Sequence, residues 1–145
     1  MRKQWRKTEP RLAASHIVAA LSVREDGAMS VALLIVDDNA RFRVRARRRL
    51  EADGYVVVAE AADGASAIEA ARRHRPNVVL LDIGLPDMSG LCVAEQLTSG
   101  PNAPAVVLTS TRDASDFGDA VARSGAHGFV PKSALSGDAI SALLA

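Results

Sequence analysis

Residues 78–90 read VVLLDIGLPDMSG, and the interpretation of this stretch decides the fold. Its first four residues are apolar and two are β-branched. The run is too short for a helix of ordinary length and has no polar alternation, which is the pattern of a strand buried on both faces. Asp82 ends the strand, a Gly/Pro loop over residues 84–86 follows, and Ser89 is a candidate helix cap. Open α/β sheets gather their chemistry outside the carboxyl ends of their strands, so a lone acid at such an end is a candidate site residue. The same punctuation recurs three times: Asp37-Asp38 after VALLIV, Thr109-Ser110 after AVVL, and Lys132 after GFVP. Parallel strands would bring all four ends to one rim.

Working outward, residues 31–36 form a first buried strand, and Asn39 is an N-cap candidate for the helix that follows. Phe42, Ala46 and Leu50 recur at four-residue spacing and give that helix one apolar stripe. Arg41, Arg43, Arg45, Arg47, Arg48 and Arg49 cover its other faces, either as a solvated basic surface or as a dock for an acidic partner. Gly54 terminates the helix. Residues 55–59 are a second strand. Asp63-Gly64 turns the chain into a helix over 65–74 with Ile68 and Ala71 facing inward, closed by Pro76. Beyond the central stretch come a short helix with Val93 and Leu97, a fourth strand over 105–109, and a helix over 114–124 with Phe117 and Val121 inward. Gly118 lies inside that helix, where it costs roughly 1 kcal/mol against alanine. Residues 127–130 make a fifth strand and residues 134–144 a last helix. Strand and helix thus alternate five times, which predicts an α/β fold: a doubly wound, five-stranded parallel sheet with helices on both faces and right-handed crossovers.

The totals narrow the class. The chain has 145 residues, a prior for one domain, with 48% hydrophobic and only 3% aromatic residues, so Val, Leu, Ile and Ala must build the core. Residues 1–28 carry a net charge of +3 and the remainder −2, so the body is not a basic nucleic-acid binder by charge. Cys92 is the single cysteine, which excludes an internal disulfide and fits a reducing cytosol. No apolar run is long enough to span a bilayer. The opening MRKQWRK and the mildly apolar residues 12–23 superficially resemble a secretory signal, but His16 interrupts the run and Arg24-Glu25-Asp26 follows without a small-residue cleavage pattern. The expected organisation is an N-terminal extension over residues 1–28, disordered or weakly helical, and one domain over 29–145. Met29, which runs straight into strand-like sequence, is an alternative translation start.

The rim residues suggest phosphoryl chemistry. Asp37, Asp38 and Asp82 at close range would repel one another and raise the pKa of at least one member. A hard divalent cation such as Mg²⁺ relieves that repulsion, and it needs only two or three acids because it keeps several waters. A carboxylate alone at a strand tip can act as a nucleophile toward phosphorus. Lys132 offers a mobile point charge and Ser110 or Thr109 a neutral donor for phosphoryl oxygens. Each residue alone is weak; the ordered set, each member after a strand, is specific.

With LLIVDDN, VVLLDIGLPDMSG, VVLTS and SGAHGFVPK in this order and spacing, residues 29–144 resemble a response-regulator receiver domain, the phosphoacceptor half of two-component signalling. The resemblance implies a flavodoxin-like fold of strand order 2-1-3-4-5. It implies that Asp82 is the phosphorylated aspartate, and that Asp37, Asp38 and Asp82, with the backbone carbonyl of Gly84, hold Mg²⁺. It further implies that Lys132 pairs with the phosphoryl group and that Phe129 is the aromatic switch residue. In the family the switch hydroxyl stands fifteen positions before the glycine ending the fourth helix; counted from Gly125 this is Ser110, with Thr109 as the alternative. Two features depart from the family pattern. Ser133 follows the lysine where proline is common, with Pro131 before it, which affects the loop. Gly84 and Arg112 stand two positions after Asp82 and Ser110, flanking the path of hydrolytic water, so phosphate lifetime is expected to depend on Arg112.

The implied function is a cytoplasmic, Mg²⁺-dependent switch, phosphorylated by a histidine kinase or phosphotransfer protein and read by an output protein, with self-phosphorylation and self-dephosphorylation chemistry but no enzyme activity on an outside substrate. The chain ends before a DNA-binding helix-turn-helix could begin, so a stand-alone receiver is expected, the alternatives being the receiver part of a transcription regulator or a phosphorylation-independent pseudo-receiver. The resemblance admits a homodimer through the fourth-helix face; neither a membrane partner nor direct nucleic-acid binding is expected.

Overall fold

The structure is a computed structural model that describes residues 22–23 and 29–145. The extension expected over residues 1–28 therefore lies outside the described residues, apart from Ser22–Val23, which pairs antiparallel with Met29–Ser30. Five parallel strands form the main sheet: β1 (Ala32–Val36), β2 (Val56–Ala61), β3 (Val78–Asp82), β4 (Ala105–Ser110) and β5 (Gly128–Pro131). Their spatial order is 2-1-3-4-5. The connecting helices are α1 (Ala40–Ala52), α2 (Gly64–His74), α3 (Gly90–Thr98), a short α4 (Ala120–Arg123) and α5 (Gly137–Leu144). The doubly wound parallel sheet expected from the alternation is observed, and its strand order is the one the receiver-domain resemblance implies.

Strand parity builds two cores. In β1, Leu33 and Ile35 face one side while Leu34 and Val36 face the other, and all four are fully or almost fully buried. The first side packs on Phe42, Ala46 and Leu50 of α1 and on Ile140 and Leu144 of α5. The second packs on Ala67 of α2, Val93 and Ala94 of α3, and Val121 of α4. Strands covered on both faces must be apolar at every position, which is why β3 reads VVLL without alternation. At the amino end of the sheet Asn77 ties three strands together. Its side-chain oxygen accepts from the Ala32 amide at 2.7 Å, its amide donates to the Ala32 carbonyl, and its carbonyl accepts from Ala105.

Local chemistry sets the helix starts. Asn39, Asp63, Ser89 and Ser136 each accept a backbone amide of the first turn. Three details differ from the sequence-based expectation. The helix expected over 114–124 is a 3-10 turn at Ala114–Phe117 followed by the one-turn α4. Gly118 at φ +58° breaks it, because this glycine adopts a backbone conformation that no α-helix contains. The last helix starts at Gly137 rather than near 134, since Lys132–Ala134 is a 3-10 turn and the Ser136 side chain caps through the Ala139 amide. In α2 it is Ala67 that is fully buried, while Ile68 and Ala71 are only partly covered.

The loop after β3 is held tightly. Gly84 bridges Ser89, and the Gly90 amide donates to the Ile83 carbonyl at 2.8 Å. A Cβ on Gly90 would overlap the Asp82 carbonyl oxygen and crowd the Ile83 backbone. Gly90→Ala is expected to destabilise the fold by about 1–3 kcal/mol, as overpacking against backbone does. Urea unfolding monitored by circular dichroism reads this; an unchanged midpoint would show that the loop can relax.

Candidate functional site

The parallel strands deliver Asp37, Asp82 and Ser110 to one rim, because each follows or ends a strand that runs the same way. Asp37 is fully buried, Asp82 is 6% exposed, and Asp38 is exposed. One carboxylate oxygen from each of the three lies within 4.8 Å of the others. Lys132, on the 3-10 turn after β5, places Nζ at 2.6 Å from Asp37 Oδ2 and 3.7 Å from Asp82 Oδ2. The sequence-predicted acids and lysine are therefore brought together.

Asp37 is fixed from several directions. Its amide donates to the Ala61 carbonyl in β2 at 3.0 Å. Its Oδ1 accepts from the Asn39 amide at 2.8 Å. Arg43 donates through Nη1 to the Asp37 carbonyl at 2.7 Å while its Nε pairs with Glu60 at 3.0 Å. Arg43 thus braces the acid loop, although in sequence it was indistinguishable from its neighbours on the basic face of α1. Arg47 shares Glu60 at 2.7 Å, so part of that face is internally paired. Burial of the helix stripe brings the Arg43 and Arg47 stems across β2, which no sequence pattern encodes.

The hydroxyls separate cleanly. Thr109 pairs in register with Asp82, but it is fully buried and its Oγ1 donates to the Val130 carbonyl at 2.6 Å. Ser110 Oγ accepts the Arg112 amide at 3.0 Å, and a hydroxyl that accepts still has its proton to donate. Phe129 on β5 is half-buried and its ring lies 6.3 Å from that of Phe117. Arg112 sits over the Phe117 ring at 5.2 Å and near Asp116 at 3.6 Å. Gly84 is exposed on the loop beside Asp82. A further residue absent from the sequence-based set is Asp87. Its carboxylate accepts the Gly64 and Ala65 amides at 2.7 and 3.0 Å, pinning the loop to the start of α2. These amides hold its pKa below the ordinary carboxylate range.

The electrostatics suit a cation. Burial first, then the Asp37 charge, push the Asp82 carboxyl up to about 6, and the Lys132 ammonium and the Gly84 amide only partly offset them. Asp37 Oδ2 is buried and its partner is the Lys132 ammonium, in an ion pair at 2.6 Å. Three carboxylate oxygens within 4.8 Å of one another, with no histidine or cysteine among the clustered ligands, are a donor set for a hard divalent ion.

The sign of the pH effect follows. A carboxyl raised from 3.8 to about 6 on folding favours the native state when protonated; that stability is full below 3.8 and is lost as pH rises through about 6. With a chelator present, Asp82→Asn is therefore expected to stabilise the protein by about 2–3 kcal/mol at pH 8 and by nearly nothing below pH ~4. Thermal melts across this range check it; an advantage independent of pH would point to packing instead.

The response regulator receiver domain family matches residues 33–144. The transcriptional regulatory protein KdpE of Mycobacterium tuberculosis is 41% identical over 100 residues, covering 69% of this chain and 43% of KdpE. The chain spans less than half the length of KdpE and of a putative transcriptional regulator from Pseudomonas aeruginosa that it also matches. A two-component response regulator of the LuxR family from Aurantimonas sp. SI85-9A1 superposes with a TM-score of 0.67 at 31% identity, covering 72% of this chain and 75% of that one. A CheY-like receiver domain protein from Methanospirillum hungatei JF-1 shares the fold at a TM-score of 0.68 and 23% identity, over 77% and 89% of the two chains. With the family model matching residues 33–144, most of the described residues, this chain belongs to the response regulator receiver domains.

Proposed function

We propose that the protein is a phosphorylation-dependent signalling switch of a two-component system, with Asp82 as its phosphoacceptor. The observation that carries this reading is the convergence of Asp82 with Asp37, Asp38 and the Lys132 ammonium at one strand rim. An Asp82 oxygen attacks the phosphorus of a phosphohistidine on a histidine kinase or phosphotransfer protein. The P–N bond breaks, its electron pair remains on the imidazole, and the new P–O bond leaves an aspartyl phosphate. Asp37, Asp38, Asp82 and the Gly84 carbonyl would hold Mg²⁺, which when bound offsets charge on the phosphoryl oxygens. Lys132 reaches Asp82 from its present position and pairs with one phosphoryl oxygen; the Ser110 hydroxyl donates to another, Thr109 being committed to Val130.

The added charge and acceptor oxygens bias the segment that carries Ser110, the 3-10 turn, α4 and Phe129 toward a second arrangement. An output partner, or the DNA-binding part of a transcription regulator, reads that arrangement, and the same face could mediate a homodimer. Resemblance to regulators supports a cytoplasmic setting; among the described residues no helix is long and apolar enough to cross a membrane. The protein acts on itself and turns over no outside substrate, so we do not class it as an enzyme.

Intact-mass spectrometry with acetyl phosphate and Mg²⁺ tests the reading. A gain of one phosphoryl group is expected, absent in Asp82→Ala and absent with EDTA. No gain from acetyl phosphate or from a panel of phosphorylated histidine kinases would overturn it.

A further inference from the structure

We propose that Phe42 is a positioning residue for Lys132: the face of its ring holds the lysine ammonium where it reaches both Asp37 and Asp82. The inference rests on the reading of Asp82 as phosphoacceptor. Lys132 Nζ lies 4.5 Å from the centroid of the Phe42 ring, within the range of a cation–π contact. The ring is 4% exposed and the Lys132 side chain 14%, so little water competes for that side of the ammonium.

The contact closes a circuit of four interactions. Asp37 Oδ1 accepts the Asn39 amide at 2.8 Å, and the Asn39 side chain accepts the Phe42 amide at 3.1 Å. The Phe42 ring meets Lys132 Nζ, and Nζ returns to Asp37 Oδ2 at 2.6 Å. The cap that starts α1 therefore fixes the acid and the ring together, and the ring fixes the cation. A lysine ammonium is a point charge on a flexible four-carbon stem, and carboxylates alone attract it without directing it. Asp37 holds it at 2.6 Å while Asp82 lies at 3.7 Å, so the two acids by themselves would favour the Asp37 side. The aromatic face constrains the ammonium from a third direction and leaves it within reach of the oxygen that is to be phosphorylated. A leucine at this position would fill the core with similar volume but would present no quadrupole to the charge.

The test varies the ring's electrons at nearly constant shape. Phe42 is replaced by phenylalanines of rising fluorination, which weakens cation–π attraction, and the rate of phosphorylation by acetyl phosphate with Mg²⁺ is measured beside circular-dichroism melts. The rate is expected to fall steadily along the series, by about three- to tenfold at full fluorination, and by a similar factor in Phe42→Leu. In a Lys132→Ala background the dependence on fluorination should vanish. Arg45 also lies over this ring, at 5.9 Å, so the series is repeated in Arg45→Ala, where the dependence should persist. A flat series in the parent protein, or an equal slope without Lys132, would overturn the inference. If the parent protein accepts no phosphoryl group at all, the functional reading fails. The ring contact is then read alone from the ring-current shift of the Lys132 ε-methylene protons by nuclear magnetic resonance, lost in Phe42→Leu. Absence of that shift in the parent protein would likewise overturn it.

Discussion

Three carboxylates share the space of one cation at the rim of the sheet, and much of the surrounding structure is arranged to hold them there. The repulsion is concentrated because Asp37 is fully buried and Asp82 nearly so. Lys132 relieves it only partly, since one ammonium faces two buried acids and Asp82 still titrates far above an ordinary aspartate. A fold selected for stability alone would not place these groups together; a hydrophobic replacement of a buried ionic cluster is often neutral or stabilising. The arrangement makes sense as a site prepared for added positive charge and for a reaction at Asp82.

The scaffold meets this constraint with backbone contacts rather than with mass. The Asp37 main chain is held by Ala61 on one side and by Arg43 on the other. The loop after Asp82 is closed by the Gly84–Ser89 bridge, by the Gly90 amide, and by Asp87, which reaches the start of α2. Gly90 is required there because the turn brings its Cα against the Asp82 carbonyl. These contacts fix the backbone on which Asp37 and Asp82 stand.

The opposite edge of the rim is built differently. From residue 111 to 120 no side chain is buried, and the backbone makes a 3-10 turn and one α-turn around Gly118. Such a segment has few apolar contacts to lose when it rearranges. Arg112, Phe117 and Phe129 form a short chain of ring contacts that joins it to β5. A closely hydrogen-bonded half that holds the acids therefore adjoins a thinly packed half, a division that suits the proposed switch.

The layered fold was legible in the sequence because period and punctuation are local. VVLL before Asp82 and ALLIV before Asp37 have the length and pattern of doubly covered strands, and Asn39, Asp63 and Ser89 cap helices through atoms a few residues away. The convergence of Asp37, Asp82 and Lys132 was legible too, since strands of one direction put their carboxyl ends on one side. Tertiary structure decided what depends on distant partners. The commitment of Thr109 to Val130 is set by the register of β4 against β5. The bracing role of Arg43 is set by the approach of α1 to β2. The Phe42 face beneath Lys132 requires two segments ninety positions apart to meet. The break at Gly118 lies between these cases: the glycine was visible and its cost was known, but whether the helix would absorb that cost depended on how little core the segment buries. Local sequence determines where strands and helices begin and which way their ends point, whereas the aim of an individual side chain is set by whatever the rest of the fold packs against it.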